Sequence, residues 1–291
     1  MKPNIIAVIN QKGGVGKTTT VINLAASLSI LGQNNLVIDL DPQGNATTGL
    51  GKSNNDDNKN IYNLLIKKIN LKDGLQKTDI RNLDIFGSNV NLSGLEVETA
   101  NDENRAFILK EILKNNSEII NRYDNIFIDC PPSLSLLTIM ALVSANEILV
   151  PLQTEFFALE GITQLVKTID RIKINLNPSL SVRGILLTMF DKRNKLSSQV
   201  DKEARNYFKE KVYKTVIQRN VRLSEAPSHG LPCVVYDKNC VGSKSYFELA
   251  EEFMKNSSIE SAAWVLEKRR VWVEDYQHCL ATTNRAKNLL T

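Results

Sequence analysis

Glycines at positions 13, 14 and 16 of the run Gln11-Lys12-Gly13-Gly14-Val15-Gly16-Lys17-Thr18 leave the backbone uncovered immediately before a helical pattern. Successive N–H groups with no side chain over them, at the positive end of a helix, make a cradle for an anion. In such a phosphate loop Lys17 reaches the β and γ phosphates of a nucleoside triphosphate and the Thr18 hydroxyl ligates Mg²⁺. A nucleoside triphosphate and Mg²⁺ are therefore the expected cofactors, with nucleotide contacts from Gly13, Gly14, Val15, Gly16, Lys17, Thr18 and Thr19. The usual spacing GxxxxGK[ST] asks for glycine at position 11, where this chain has Gln11; instead, Lys12 supplies a second lysine at the start of the loop.

Carboxylates stand at the ends of two later apolar runs. Asp39-Leu40-Asp41-Pro42-Gln43-Gly44-Asn45 closes one of them, and ligands in parallel sheets sit at the carboxyl ends of the strands. Asp41 is the better candidate for handling the attacking water and for a place near the metal; Asp39, closer to the strand, suits a supporting role, and the sequence leaves both assignments open. Asp129 closes the run 125–129 and suits the carboxylate that holds Mg²⁺ through its water shell, or else a cap on the helix expected to begin near Leu134. The following Pro131-Pro132 implies a stiff turn against the γ phosphate. The four cysteines are widely spaced, which gives no support to a zinc or iron–sulfur site. Cys130 has no histidine near it and reads as packing, while His229 reads as a loop residue.

These residues need a scaffold that gathers strand ends. Continuous apolar runs at 4–9, 35–39, 83–86, 125–129, 147–151 and 182–188 have the character of parallel strands buried on both faces. Between the first two, Val21, Leu24, Ala25, Leu28 and Leu31 recur at helical spacing until Gly32 ends the helix. Strand, helix and strand in that order form a right-handed crossover, and their repetition predicts an α/β fold, a doubly wound, mostly parallel sheet flanked by helices. Residues 51–60 contain no apolar side chain and read as a surface loop.

Composition fits one large domain over residues 1–255: 42% hydrophobic, 23% charged, and no run near 18 apolar residues. The short apolar start is too brief for a secretory signal, so a cytoplasmic location is expected. The net charge of +4 is unevenly spread, since residues 192–222 hold ten Lys and Arg against three acids. That segment is either an ordinary solvated face or an anion-binding surface. Residues 256–291 read as an appended tail in which Val265, Leu266, Trp272, Val273, Tyr276 and Leu280 fall near one face of a helix, interrupted by Lys268-Arg269-Arg270.

Five ordered motifs together resemble the ParA/Soj family of partition ATPases, the deviant Walker-A type of P-loop NTPase, over residues 3–254. They are Lys12-Gly-Gly-Val-Gly-Lys-Thr-Thr, Asp39-Leu-Asp-Pro-Gln-Gly-Asn, Ile128-Asp-Cys-Pro-Pro-Ser, Leu187-Thr-Met-Phe-Asp and Arg219-Asn-Val-Arg-Leu-Ser-Glu-Ala-Pro-Ser-His-Gly. The resemblance implies that Lys12 reaches across an ATP-dependent homodimer to the partner's phosphates, and that Lys17 and Asp41 serve hydrolysis. It implies that Asp129 serves the metal site and that Gln218 and Asn220 border the adenine, with Gln218 standing where relatives commonly have proline. It also implies non-specific binding of double-stranded DNA through Arg193, Arg219 and Arg222, with Lys192 and Lys195 as additions, a nucleoid-associated location, and a ParB-like partner that stimulates hydrolysis. No helix-turn-helix region precedes the loop, so the resemblance is to the short form of the family.

Two other readings remain at this stage. The tail keeps open a MinD-like ATPase that associates with membranes, although Glu267, Glu274, Asp275 and Arg269 weaken its apolar face. A metal-cluster ATPase lacks the cysteine spacing it would need.

Overall fold

The computed structural model describes residues 2–155 and 158–255. The tail helix expected within 256–291 lies outside the described residues. Among the described residues seven strands form one sheet: β1 (Asn4–Val8), β2 (Asn35–Asp39), β3 (Gln76–Lys77), β4 (Leu83–Phe86), β5 (Asn125–Asp129), β6 (Glu147–Gln153) and β7 (Ser181–Thr188). Their order is β3-β4-β2-β5-β1-β6-β7, and every neighbouring pair is parallel except β3 with β4. The doubly wound α/β expectation holds. The antiparallel edge strand β3 has no counterpart among the apolar runs of the sequence, because two residues are too few to show a periodicity.

All five residues of β2 and of β5 are buried, as strands covered on both faces must be. Helix α1 (Lys17–Ile30) crosses from β1 to β2 and carries Val21, Leu24, Ala25 and Leu28 fully into the core. Burying a Leu or Val side chain contributes about 1.5–3 kcal/mol, so this face fixes the helix, and with it the loop that precedes it. Helix α1 ends at Leu31, whose N–H bonds to Ser27, and Gly32 follows at φ 93°, a left-handed conformation that favours glycine. The long final helix, Val241–Lys255, packs on α1, where the Tyr246 and Thr20 hydroxyls are 3.2 Å apart.

The loop at 51–60 is a series of turns that ends when Asn60 caps Ile61–Leu65 by accepting the Asn63 N–H. The helix after Asp129 runs from Leu136 to Ser144, two residues later than expected. Its start follows the Pro131-Pro132 turn, where the Thr138 hydroxyl donates to the Ser133 carbonyl at 2.6 Å.

Candidate nucleotide-binding site

Strand β5 lies between β2 and β1, in a register that pairs Asp129 with both Asp39 and Val8. Asp39, Asp129 and the loop after β1 therefore emerge side by side at the carboxyl end of the sheet. In that loop Gly14 and Gly16 have φ of 73° and 88°. Both are left-handed conformations in which a side chain would be strained. Gly13 has no such requirement; a Cβ there would stand 3.9 Å from the Cβ of Pro132, which places the double-proline turn against the loop.

The loop is held from several directions. The Thr188 hydroxyl, at the end of β7, donates to the Val15 carbonyl at 2.8 Å. The Asn10 side chain donates to the Pro151 carbonyl at 2.7 Å and accepts the Lys12 N–H at 3.0 Å. Neither Asn10 nor Thr188 was singled out from the sequence as a site residue, although Thr188 lies inside the Leu187-Thr-Met-Phe-Asp motif. Their partners lie 141 and 173 residues away, a distance that no local pattern encodes.

Lys17 is buried and its ammonium donates to the Lys12 carbonyl at 3.2 Å. Burial lowers its pKa, opposed by the charge of Asp129. Lys12 points the other way, with its side chain 54% exposed and ion-paired to Glu155. No local pattern marks Glu155, 143 residues further along the chain, as its partner.

The two carboxylates of the β2 motif separate by environment. Asp39 is fully buried and accepts the Asp41 N–H at 3.1 Å, the Thr47 N–H at 2.8 Å and the Thr47 hydroxyl at 2.7 Å. Desolvation raises its pKa to about 6 against those hydrogen bonds. Asp39 is thus committed to holding the turn. Asp41 is also buried, 8% exposed, and accepts only the Gln43 N–H, at 2.9 Å, among the described residues.

Asp129 is fully buried, and desolvation pushes its pKa well up, with the Asp39 charge adding to the rise. The Thr18 hydroxyl is near enough to oppose that rise, yet neither carboxylate oxygen has a geometrically sound hydrogen bond. A buried carboxylate with both oxygens unsatisfied is costly unless a cation completes it. Asp129, Thr18 and Asp41 therefore form a donor set of hard oxygens that fits Mg²⁺. Cys130 is buried and its thiol is pushed well up by burial, as packing requires.

Gln218 and Asn220 line a pocket with Gly16, Thr19, Thr188 and Tyr246, next to the phosphate loop. Asn220 also caps its own helix, Val221–Glu225, by accepting the Arg222 N–H at 2.8 Å, so its amide N–H₂ is the end available as a donor. The basic residues divide. Arg193 and Arg219 line a second cavity together with Lys192, and the Arg219 N–H bonds to the Phe190 carbonyl at 3.1 Å. Arg193 forms a two-pronged pair with Asp191 at 3.1 Å. Arg222 turns aside to Glu225 at 2.7 Å and Asp237 at 3.5 Å. Lys195 is exposed. His229 stacks on Tyr236, with ring centroids 4.9 Å apart, and forms no ion pair with a carboxylate among the described residues.

Residues 3–182 match the AAA domain family model. The chain is 47% identical over 251 residues to the chromosome partitioning protein ParA of Caulobacter vibrioides, covering 85% of this chain and 92% of that protein. It is 46% identical over 252 residues to the sporulation initiation inhibitor protein Soj of Bacillus subtilis, covering 87% and 98%. Among solved structures, the cobyrinic acid a,c-diamide synthase of Mycobacterium smegmatis with bound ADP and magnesium superposes with a TM-score of 0.77 at 30% identity, covering 88% of this chain and 96% of that one. A P-loop with a second lysine, the carboxylates Asp39 and Asp129 at adjacent strand ends and this extent of identity have one consistent reading: the chain belongs to the ParA/Soj family of chromosome-partitioning ATPases.

Proposed function

We propose that this protein is an ATP-dependent DNA-partitioning switch. It binds ATP and Mg²⁺, closes into a sandwich dimer, binds double-stranded DNA without sequence preference, and lets go on hydrolysis stimulated by a ParB-like protein. The observation that carries the reading is the division between two lysines of one loop, Lys17 turned in and Lys12 turned out. A lysine needed only within its own site has no reason to project from it.

Each residue then has a task. The N–H groups of residues 13–18 cradle the phosphates, Lys17 binds the β and γ oxygens, and Lys12 reaches the phosphates held by the partner copy. Asp41, whose carboxylate is committed only to the Gln43 N–H among the described residues, orients the attacking water. Thr18, Asp129 and Asp41 would hold Mg²⁺, which would supply positive charge against the phosphate oxygens. Gln218 and Asn220 border the adenine, and Arg193, Arg219 and Arg222 meet DNA phosphates. The catalytic body is residues 1–255, with 256–291 an appendage. The working location is the cytoplasm, on the nucleoid.

The test is co-sedimentation of the full chain with random duplex DNA and with anionic vesicles, each with ATP, ADP or no nucleotide. ATP-dependent DNA binding supports the switch. ATP-dependent vesicle binding without DNA binding, lost on removal of 256–291, would replace it with a membrane-associated positioning ATPase.

A further inference from the structure

Away from the nucleotide, two cysteines meet at the corner between the short helix Cys233–Tyr236 and the final helix Val241–Lys255. Their sulfur atoms are 3.5 Å apart. The corner is tightly built: the Asp237 N–H donates to the Cys233 carbonyl at 2.8 Å, and the Asp237 carboxylate accepts the N–H groups of Asn239 and Cys240 at 3.1 and 3.2 Å. The buried Ser243 hydroxyl lies 3.4 Å from the Cys233 sulfur and 3.3 Å from that of Cys240, while the Ser243 N–H donates to the Cys240 sulfur at 3.4 Å. Nothing in the nucleotide site uses this pair.

We propose that Cys233 and Cys240 form a reversible dithiol–disulfide site, oxidised by hydroperoxides. The sulfurs need to approach by only about 1.5 Å to reach the roughly 2.05 Å bond, across a short turn that is already ordered. Holding both groups in place removes most of the entropic cost of their reaction. The two thiols differ in access. Cys240 is half-buried, while Cys233 is buried and its thiol is pushed up to about 12 by desolvation. Cys240 is thus the sulfur that an oxidant reaches first, and Cys233 is the resolving one.

The chemistry balances in two steps. The Cys240 sulfur attacks one peroxide oxygen, the O–O bond breaks, and the other oxygen leaves with the thiol proton as water, or as an alcohol from an organic peroxide. The Cys233 sulfur then attacks the Cys240 sulfenic acid. The S–S bond forms, the S–O bond breaks, and the hydroxyl leaves with the Cys233 proton as a second water. Both sulfurs are oxidised by one electron each and the peroxide is reduced by two. A dithiol reductant reverses the bond by exchange, so in a reducing compartment it is transient. The linked turn carries Asp237, whose carboxylate stands 3.5 Å from the Arg222 guanidinium, so oxidation acts next to the basic surface.

The folded full chain is treated with hydrogen peroxide, quenched in acid, denatured, alkylated and mapped by mass spectrometry. The four thiols are expected to fall to two, with one peptide pair linked through Cys233 and Cys240, and dithiothreitol is expected to restore all four. Cys240→Ser is expected to keep its three thiols, whereas Cys279→Ser still loses two. Persistence of four free thiols, a bridge that involves Cys279, or oxidation of Cys240 with Cys233 left alkylatable would overturn the proposal. The wild-type map decides even if a variant folds poorly.

Discussion

Lys17 and Lys12 belong to one loop but serve opposite directions: the Lys17 ammonium donates to the Lys12 carbonyl at 3.2 Å, while the Lys12 side chain leaves the loop for Glu155 and solvent. The backbone of the second lysine is therefore part of the first one's support. Its side chain is not.

This separation predicts different losses. Lys17→Ala removes a buried cation from the phosphate cradle and is expected to weaken ATP binding by about tenfold or more, since a hydrogen bond to a charged group contributes roughly 1.5–3 kcal/mol. Titration with a fluorescent ATP analogue measures it. Unchanged affinity would show that Lys17 does not touch the phosphates.

Asp39 and Asp41, two residues apart, are expected to fail in different ways. Asp39→Ala leaves the buried Thr47 N–H and hydroxyl and the Asp41 N–H without their acceptor, at a cost of about 1–3 kcal/mol per unsatisfied group. Thermal unfolding is expected to drop by several degrees. Asp41→Ala, which removes the acceptor of the Gln43 N–H alone, is expected to lower Tm less than Asp39→Ala, slow hydrolysis on the order of 10²-fold, and trap the ATP dimer on DNA. Wild-type turnover in Asp41→Ala would remove it from the water-positioning role.

Asp129 gives a prediction with an unusual sign. Its two carboxylate oxygens are buried and unsatisfied, so Asp129→Asn relieves a buried charge in the nucleotide-free protein. The variant is expected to melt a few degrees higher than wild type without ligand, and to lose the extra stabilisation that Mg²⁺ gives to ATP-bound wild type. Calorimetry with ATP in Mg²⁺ or in EDTA separates the two effects. A lower melting point without ligand, together with full Mg²⁺ dependence, would place the cation elsewhere.

Arg219 has no ion-pair partner among the described residues, whereas Arg193 is paired with Asp191 and Arg222 with Glu225 and Asp237. Arg219→Ala is therefore expected to weaken ATP-dependent DNA binding more than either of the others, and to reduce the slope of log affinity against log salt by about one. Arg222→Ala is expected to leave ATP-dependent dimers that bind DNA more weakly. Anisotropy on random duplexes over a salt series reads both.

What the sequence disclosed follows the range of the forces involved. The strands at 35–39 and 125–129 were legible because burial on both faces leaves an unbroken apolar run, and the loop at 11–18 because anion binding restricts its backbone locally. The β3 edge was too short to have a period. The hydrogen bonds of Asp39 to Thr47 are not legible in the sequence, because local pattern does not supply the position of Thr47. Glu155 beside Lys12, Thr188 under Val15 and Tyr246 beside Thr20 are contacts over 143, 173 and 226 residues, made by the fold and visible only in it.

The most direct test of the switch is the oligomeric state of Lys12→Ala with ATP, measured by analytical ultracentrifugation alongside its nucleotide affinity. The prediction is a variant that binds ATP nearly as wild type does, yet stays monomeric under conditions where wild type dimerises. If Lys12→Ala dimerises with ATP to the same extent as wild type, Lys12 does not act across the dimer.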